Sequence, residues 1–251
     1  MKNYQAIIVK NEKIAENVHS VTVDVGEDVK VRCGQFGNLS VGGMHLLRRP
    51  IAICKAENNL VTFCYQIKGE GTKALKEKKV GEKIEVLMPL GNGFFVEEKE
   101  KKVALVGGGV GVFPLISVLR QYGEEKEISA YIGYRNKGAV CGVEEFSKAT
   151  HFVAVTDDGS YGEKMNAVQA FEKDLKKGNL PDVVLACGPT PMLRALKNVV
   201  EKEKLLCYVS LEERMGCGIG ACLVCVCDKT NGQKARVCKD GPVFNAADVT
   251  L

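Results

Sequence analysis

Cysteines near the end of the chain have the spacing of ligands for an iron-sulfur cluster. Cys217, Cys222 and Cys225 follow the pattern C-x4-C-x2-C, and Cys238 follows after twelve intervening residues. This is the plant-type spacing for a [2Fe-2S] cluster. The glycines and alanine between the cysteines let the backbone approach the sulfurs and donate N–H hydrogen bonds, which stabilise the added charge of the reduced state. The predicted metal ligands are therefore Cys217, Cys222, Cys225 and Cys238.

Other uses of these cysteines remain open from the residues alone. Structural zinc sites usually pair their ligands in two short C-x2-4-C units, and only one such unit is present. A disulfide framework is disfavoured, because the 11 cysteines are odd in number and the first residues lack the apolar core of a signal peptide. A Rieske centre needs two histidine ligands, and His19, His45 and His151 all lie far upstream. The x2 spacing favours Cys225 over Cys227 as the third ligand, with Cys227 packed as a small hydrophobe.

Two turns that follow apolar strands are suited to nucleotide phosphates. The first, Gly107 to Gly111, lies between a strand and a helical run, where backbone amides and the helix dipole can receive phosphate. It departs from the dinucleotide fingerprint because Val112 stands in place of the third glycine. The alternative is a tight turn whose glycines serve only packing. The second turn, Cys187-Gly188-Pro189, likewise lies at the end of a predicted strand and before a helix. The predicted nucleotide-binding residues at the two turns are Gly107, Gly108, Gly109, Gly111, Cys187 and Gly188.

Arginines and a helix start in the first part of the chain could hold a pyrophosphate. Arg48 and Arg49 begin a predicted strand, and Gly71 and Thr72 begin a short predicted helix. An arginine fork and a helix N-terminus can bind a pyrophosphate from two sides. The alternative is that the arginines lie on the surface and the glycine only forms a turn.

The strand and helix signals predict a different fold for each part of the chain. Six short β-branched runs before residue 96 predict an antiparallel β-barrel, interrupted by a helix from Thr72 to Lys79. After Lys102, apolar strands alternate with helical runs, which predicts a parallel sheet covered on both faces. Thr190 is predicted to cap the last of these helices. The predicted domains are a barrel over 1–98, a nucleotide-binding α/β domain over 99–206 and a small cluster domain over 207–251, which we expect its metal to hold together.

Composition narrows the class of protein. The chain has 251 residues, of which 45% are hydrophobic, enough for two cores and a small appendage. Its net charge of +4 is spread over lysines mixed with glutamates, with no basic stripe carrying aromatics, so we expect no binding to nucleic acid. No apolar run is long enough to span a membrane. We expect a cytoplasmic protein, in a reducing compartment where thiols stay free or bind metal.

These motifs, in this order, resemble the ferredoxin-reductase superfamily. They are Arg-Pro-Ile-Ala, Gly-Glu-Gly-Thr, Gly-Gly-Gly-Val-Gly, Asp-Asp-Gly-Ser-Tyr-Gly and Cys-Gly-Pro. The tail Ser-Leu-Glu-Glu-Arg-Met-x-Cys-Gly-Ile-Gly-Ala-Cys is similar to that of the electron-transfer subunits of type B dihydroorotate dehydrogenases. The resemblance implies an oxidoreductase subunit with FAD, a [2Fe-2S] cluster and NAD as electron acceptor. It places NAD over the turn from Gly107 to Gly111, near Cys187, and FAD against Arg49, Pro50, Ile51, Ala52, Cys64, Tyr65, Gln66, Gly71 and Thr72.

The resemblance also implies a partner, an FMN-containing catalytic subunit that oxidises dihydroorotate in pyrimidine biosynthesis, in a heterotetramer of two of each subunit. Electrons would pass singly from FMN to the cluster, collect on FAD and leave as hydride to NAD+, because only a flavin handles both one and two electrons. Met215, Ile219 and Leu223 are candidates for the surface that meets the partner, or for ordinary packing around the metal. Ala52 stands where the family commonly has Ser or Thr, so one hydrogen bond to the flavin must come from the backbone or be absent.

Two other functions stay open. One is the flavin and iron-sulfur subunit of an NADPH-dependent ferredoxin or sulfide oxidoreductase, and the other is a zinc-stabilised nucleotide-binding redox sensor. The residues do not decide between NAD and NADP. Tyr134 and Arg135 could meet a 2'-phosphate, and Asp157 and Asp158 could form a plain turn or lie beside the nicotinamide or its ribose. The preference for NAD comes from the resemblance.

Overall fold

The computed structural model describes all 251 residues, and its first part is a closed barrel of six antiparallel strands. Along β6 every second side chain is buried, which is the pattern of a strand with one face on the core and one toward solvent. The predicted antiparallel barrel is confirmed. Its strands run in the order β1-β2-β5-β4-β3-β6, with β1 (Lys2–Ala15), β2 (Val18–Asp24), β3 (Phe36–Ser40), β4 (Arg49–Glu57), β5 (Leu60–Gln66) and β6 (Lys83–Leu90), and helix α1 (Glu70–Glu77) follows β5.

The second part is a six-stranded sheet with helices on its faces. Five strands are parallel and form its body: β7 (Lys102–Gly108), β8 (Glu127–Tyr134), β9 (His151–Thr156), β10 (Val183–Cys187) and β11 (Leu206–Ser210). β10 is buried along its whole length, as expected for a strand covered on both sides. The helices are α2 (Val112–Tyr122), α3 (Val143–Phe146), α4 (Ala167–Leu175) and α5 (Thr190–Lys202). None of the helices of the chain is long and apolar enough to cross a membrane.

The C-terminal segment is built into both of the larger parts. After β11 it forms the short hairpin of β12 (Val226–Asp228) and β13 (Lys234–Arg236), and then returns as β14 (Val243–Asn245). β14 pairs antiparallel with β11, so the sheet is mixed at this edge rather than wholly parallel. Cys225 and Cys238 share one buried apolar cluster with barrel residues Phe36 and Leu90. The division at residues 98 and 206 stays a prediction.

Two predicted helix starts differ from the structure. The predicted Thr190 cap is wrong, because Thr190 is already the first helical residue of α5 and Pro189 occupies the capping position without a side-chain hydrogen bond. α1 begins at Glu70 rather than at Thr72. The Thr72 hydroxyl accepts hydrogen bonds from the backbone N–H groups of Lys68 and Gly69, which fixes the turn that enters the helix.

Candidate cofactor and electron-transfer site

The segment from 216 to 225, here called the cluster loop, surrounds the sulfur of Cys217 with backbone donors. The N–H groups of Ile219, Ala221 and Cys222 lie 3.4, 3.3 and 3.4 Å from its Sγ. Burial acts to raise the pKa of Cys217, but these donors lower it to about 6. The loop therefore favours a thiolate, the form of cysteine that binds iron.

The four predicted ligands lie in two pairs. The Cys217 N–H donates to Cys222 Sγ at 3.4 Å, and the Cys238 N–H donates to Cys225 Sγ at 3.4 Å. No three metal-binding side chains converge closely enough to hold a single ion. The paired arrangement suits two irons with two thiolates each.

Two glycines give the cluster loop its close contacts. Gly218 and Gly220 have φ values of +74° and +85°, which side chains rarely allow. A Cβ atom at Gly220 would come within 2.8 Å of Lys239 Cβ, and one at Gly218 within 2.7 Å of Asn38 Nδ2. The loop is therefore pressed against the residues that follow the hairpin on one side and against the barrel on the other. Cys227 lies on β12 and packs against the core.

A cavity of about 270 Å³, here called the flavin cavity, lies between the barrel and the sheet. The residues predicted to bind FAD are gathered there: all but Gly71 are in its lining, namely Arg49, Pro50, Ile51, Ala52, Cys64, Tyr65, Gln66 and Thr72. Glu212, Glu213 and Met215 also line it, and no role was predicted for the two glutamates. The signal that could have found them is their position between a sheet strand and the first cluster ligand.

Gly71 contributes to the flavin cavity through Arg49. A Cβ atom at Gly71 would overlap the Arg49 guanidinium, so this side chain lies directly against the first turn of α1. A guanidinium and a helix N-terminus meet here, as a pyrophosphate site requires. The predicted fork of two arginines is not formed, because Arg48 turns away to an ion pair with Glu85 at 2.7 Å.

Tyr65 offers the flavin cavity a hydroxyl that no protein group engages. The residue is buried and lines the cavity, and its OH has no hydrogen-bond partner within the chain. Burial raises the pKa of this phenol, so it remains a donor at neutral pH. Buried polar groups are normally satisfied. A ligand oxygen in the cavity would supply the missing partner, and the chain's residues fit FAD in this respect.

A second cavity, of about 470 Å³ and here called the nicotinamide cavity, lies at the carboxyl ends of the parallel strands. Gly108, Gly109 and Gly188 line it. Gly107 and Gly111 serve packing, since a Cβ atom would come within 2.8 Å of Leu115 at the first and 2.5 Å of the Cys187 carbonyl oxygen at the second. Gly108 and Gly109 are thus open to a ligand while Gly107 and Gly111 are held by packing, and nucleotide binding at this turn stays a prediction.

The two cavities share part of their walls. Gln66, Lys68, Val110 and Glu212 line both. Cys187 lies in the wall of the flavin cavity only, and its pKa is raised by burial and then by the charge of Glu212. A ligand in one cavity can therefore approach a ligand in the other, as transfer between two cofactors requires.

The predicted acidic pair is divided between two roles. Asp157 lines the nicotinamide cavity, whereas the carboxylate of Asp158 accepts hydrogen bonds from the backbone and hydroxyl of Ser160 in the turn. The Tyr134–Arg135 pair lines this cavity too, but the Tyr134 hydroxyl is directed to the carbonyl of Cys141.

The fold and its cavities define a ferredoxin-reductase-like oxidoreductase with an added iron-sulfur domain. Residues 105–198 match the oxidoreductase NAD-binding domain, and residues 212–250 match the iron-sulfur cluster binding domain of dihydroorotate dehydrogenase B. The solved structure of an NADH-dependent reduced ferredoxin-NADP oxidoreductase is similar, with a TM-score of 0.86 and 28% identity over 98% of this chain and 90% of that one. The Amycolatopsis cytochrome P450 reductase GcoB shares the fold, with a TM-score of 0.72 and 21% identity over 81% and 67%.

Sequence comparison narrows this class to one family. The dihydroorotate dehydrogenase B (NAD(+)) electron transfer subunit of Bacillus pumilus is 40% identical over 100% of this chain and 99% of its own length. That of Caldanaerobacter subterraneus is 39% identical over 98% and 97%. The chain belongs to the family of dihydroorotate dehydrogenase B electron transfer subunits. The predicted resemblance is confirmed, as are an oxidoreductase role and FAD, a [2Fe-2S] cluster and NAD as its cofactors.

Proposed function

We propose that this chain carries electrons from the catalytic subunit of a dihydroorotate dehydrogenase to NAD+, in the synthesis of pyrimidines. The support is full-length identity near 40% to relatives with that name. One observation carries the physical argument. The segment that lines the flavin cavity with Glu212, Glu213 and Met215 continues into Cys217 two residues later. A single stretch of chain therefore connects the two proposed carriers.

The flavin cavity is the proposed FAD site. Arg49 and the first turn of α1 would hold the pyrophosphate, and the Tyr65 hydroxyl would donate to a cofactor oxygen. Ala52 brings no hydroxyl, so the contact that a Ser or Thr would make is left to the backbone of β4. The apolar part of the lining, Pro50 and Ile51 among it, excludes water from the ring.

The nicotinamide cavity is the proposed NAD site. Gly108 and Gly109, in the turn between β7 and α2, would receive phosphate, and Gly188 lets the ligand come close to the backbone. Glu212, in the wall shared with the flavin cavity, would orient the nicotinamide over the flavin. When bound, the cluster passes single electrons, FAD exchanges one or two, and NAD+ accepts a hydride.

Cys217, Cys222, Cys225 and Cys238 are the proposed cluster ligands, and the partner would bind where the cluster loop reaches the surface. Cys222 is exposed, and Leu223 and Val224 next to it have 62% and 55% of their surface exposed. Apolar side chains beside an exposed ligand suit a partner that must come within electron-transfer distance. Of the three residues predicted for this surface, Ile219 and Leu223 are exposed, while Met215 lines the flavin cavity. The partner is proposed to carry FMN, in a cytoplasmic assembly of two chains of each kind.

Co-expression with the catalytic subunit tests this function. The purified complex should contain FMN, and dihydroorotate should reduce NAD+ in its presence. Leu223→Asp should weaken the complex and slow the dihydroorotate-dependent reduction of NAD+. Oxidation of NADH with an artificial electron acceptor should keep its wild-type rate. Absence of dihydroorotate-dependent NAD+ reduction in an intact complex with all cofactors would contradict the proposal.

A second candidate is the related subunit of a ferredoxin-NADP oxidoreductase. It is favoured by the similarity to the NADH-dependent reduced ferredoxin-NADP oxidoreductase, at a TM-score of 0.86. Reduction of the complex by ferredoxin rather than by dihydroorotate would identify this alternative. Counting iron, sulfide, flavin and zinc per chain separates both from a zinc-bound redox sensor, which would be colourless.

A further inference from the structure

A buried asparagine of the barrel contacts the cluster loop directly. Asn38 lies in the middle of β3 with 1% of its surface exposed. Its Nδ2 donates to the carbonyl oxygen of Cys217 at 3.4 Å, and its Oδ1 has no partner in the chain. A polar side chain is costly to bury on a barrel strand. The bond to the peptide of a predicted cluster ligand is the one interaction that its amide makes.

The cluster loop is shaped to accept this amide. Gly218, at φ +74°, faces Asn38 so closely that a Cβ atom would come within 2.7 Å of Nδ2 and 3.4 Å of Leu90 Cδ1. The backbone of Asn38 is fixed in turn, because it pairs with Pro50 in β4 and its carbonyl accepts a hydrogen bond from Arg48. Pro50 lines the flavin cavity. The contact therefore joins a strand beside the flavin cavity to the first cluster ligand.

The peptide that Asn38 holds directs a donor to the sulfur of Cys217. The Cys217 carbonyl and the Ile219 N–H, which donates to Cys217 Sγ at 3.4 Å, lie on either side of the Gly218 α-carbon. Holding the carbonyl orients the Cys217–Gly218 peptide, and the Ile219 N–H belongs to the next peptide along the chain, so a shift of the first peptide moves that donor relative to the sulfur. Hydrogen bonds to the sulfurs are among the factors that set the potential of an iron-sulfur cluster.

We propose that Asn38 is a positioning residue for the cluster: its amide holds the Cys217–Gly218 peptide against the barrel and so sets the cluster's reduction potential. The inference rests on the proposed cluster ligands. Unlike those ligands, Asn38 binds no iron. Its loss should therefore leave the cluster in place with an altered reduction potential.

The test compares Asn38→Ala with Asn92→Ala in the full chain, loaded with its cofactors. Asn92 is a matched control, because its side chain also joins the barrel to the C-terminal segment, through two bonds to the backbone of Val243 at 2.8 and 3.1 Å. The cluster potential is measured by a redox titration followed by electron paramagnetic resonance. In Asn38→Ala the equilibrium for cluster reduction should become about tenfold less favourable, which is about 59 mV for one electron, and the spectrum should shift. Asn92→Ala should change neither.

Two further variants keep the result decisive. Asn38→Asp preserves the side-chain volume and removes the donor, and its negative charge should lower the cluster potential further. This variant is used for the measurement if Asn38→Ala loses its iron. Gly218→Ala should also lower the potential, because it displaces the same peptide. An unchanged potential and spectrum in a fully loaded Asn38 variant would overturn the role of Asn38 alone. A wild-type chain without iron and sulfide would instead remove the proposed cluster itself.

Discussion

The cluster loop and the flavin cavity make their sites in opposite ways. The cluster loop takes three of its four proposed ligands from one short irregular segment and stabilises sulfur with backbone N–H groups. The flavin cavity takes its lining from regular strands, a helix start and the segment after β11, spread from Gly34 to Pro242. A site of the first kind depends on single ligands and glycine dihedral angles. A site of the second kind depends on shape, and each residue contributes a smaller share.

Cys217→Ser should have the largest effect and would show whether the cluster loop acts as a unit. We expect loss of nearly all iron and labile sulfide, because an iron that loses one thiolate is no longer fully coordinated. Flavin content should remain, since Cys217 itself does not line the flavin cavity. Cys227→Ser is the control and should keep its iron. Equal iron in both variants would show that Cys217 is not a ligand.

Gly71→Ala should have the next largest effect and tests whether shape governs the flavin cavity. The added methyl group would overlap the Arg49 guanidinium and displace it. We expect FAD affinity to fall by tenfold or more, about 1.4 kcal/mol, in a fluorescence titration of the flavin-free chain. Gly69→Ala is matched, because it changes the same turn at a position with open space and extended backbone. Loss of affinity in both variants would indicate damage to the turn rather than to the contact with Arg49.

Tyr65→Phe should have a smaller effect, as expected where many residues share a site. Removing one hydroxyl that bonds to the cofactor should cost about 1 kcal/mol, about fivefold in FAD affinity. The flavin-free chain should become no less stable to urea, because the hydroxyl has no partner there. Unchanged FAD affinity would show that the hydroxyl does not contact the cofactor.

The smallest expected effect is on the pH dependence of stability, through His19 in the barrel of the flavin-free chain. Burial, and then the charges of Lys76 and Lys13, lower the pKa of His19. The unfolded chain has the higher histidine pKa, near 6.5, so it binds the proton more readily than the folded chain. The contribution of neutral His19 to stability is therefore fully present above pH 6.5 and is lost as the pH falls through the pKa of the folded state. The free energy of unfolding, measured in urea, should therefore fall less for His19→Leu than for the wild type between pH 7.5 and 5.5. Equal losses would assign the acid sensitivity to other groups.

The same contrast explains what could be predicted from sequence. The spacing of Cys217, Cys222 and Cys225 is a local signal, and alternating or continuous apolar runs revealed the barrel and the sheet. The residues predicted to bind FAD followed from a resemblance, because Arg49 and Tyr65 are distant in sequence and come to one cavity only in the folded chain. Glu212 and Asn38 were missed, since neither belongs to a local pattern. Their importance comes from which elements the fold brings together, as does the failure of Arg48 to join the predicted fork.

The pairing of β14 with β11 has a consequence for how the cluster could be assembled and repaired. Both ends of the segment that carries the cysteines are fastened by sheet hydrogen bonds that involve no metal. We therefore expect a chain stripped of iron and sulfide to keep the pairing of β14 with β11, so that the cluster can be rebuilt in the folded protein. Recovery of iron content without a prior unfolding step would confirm this expectation.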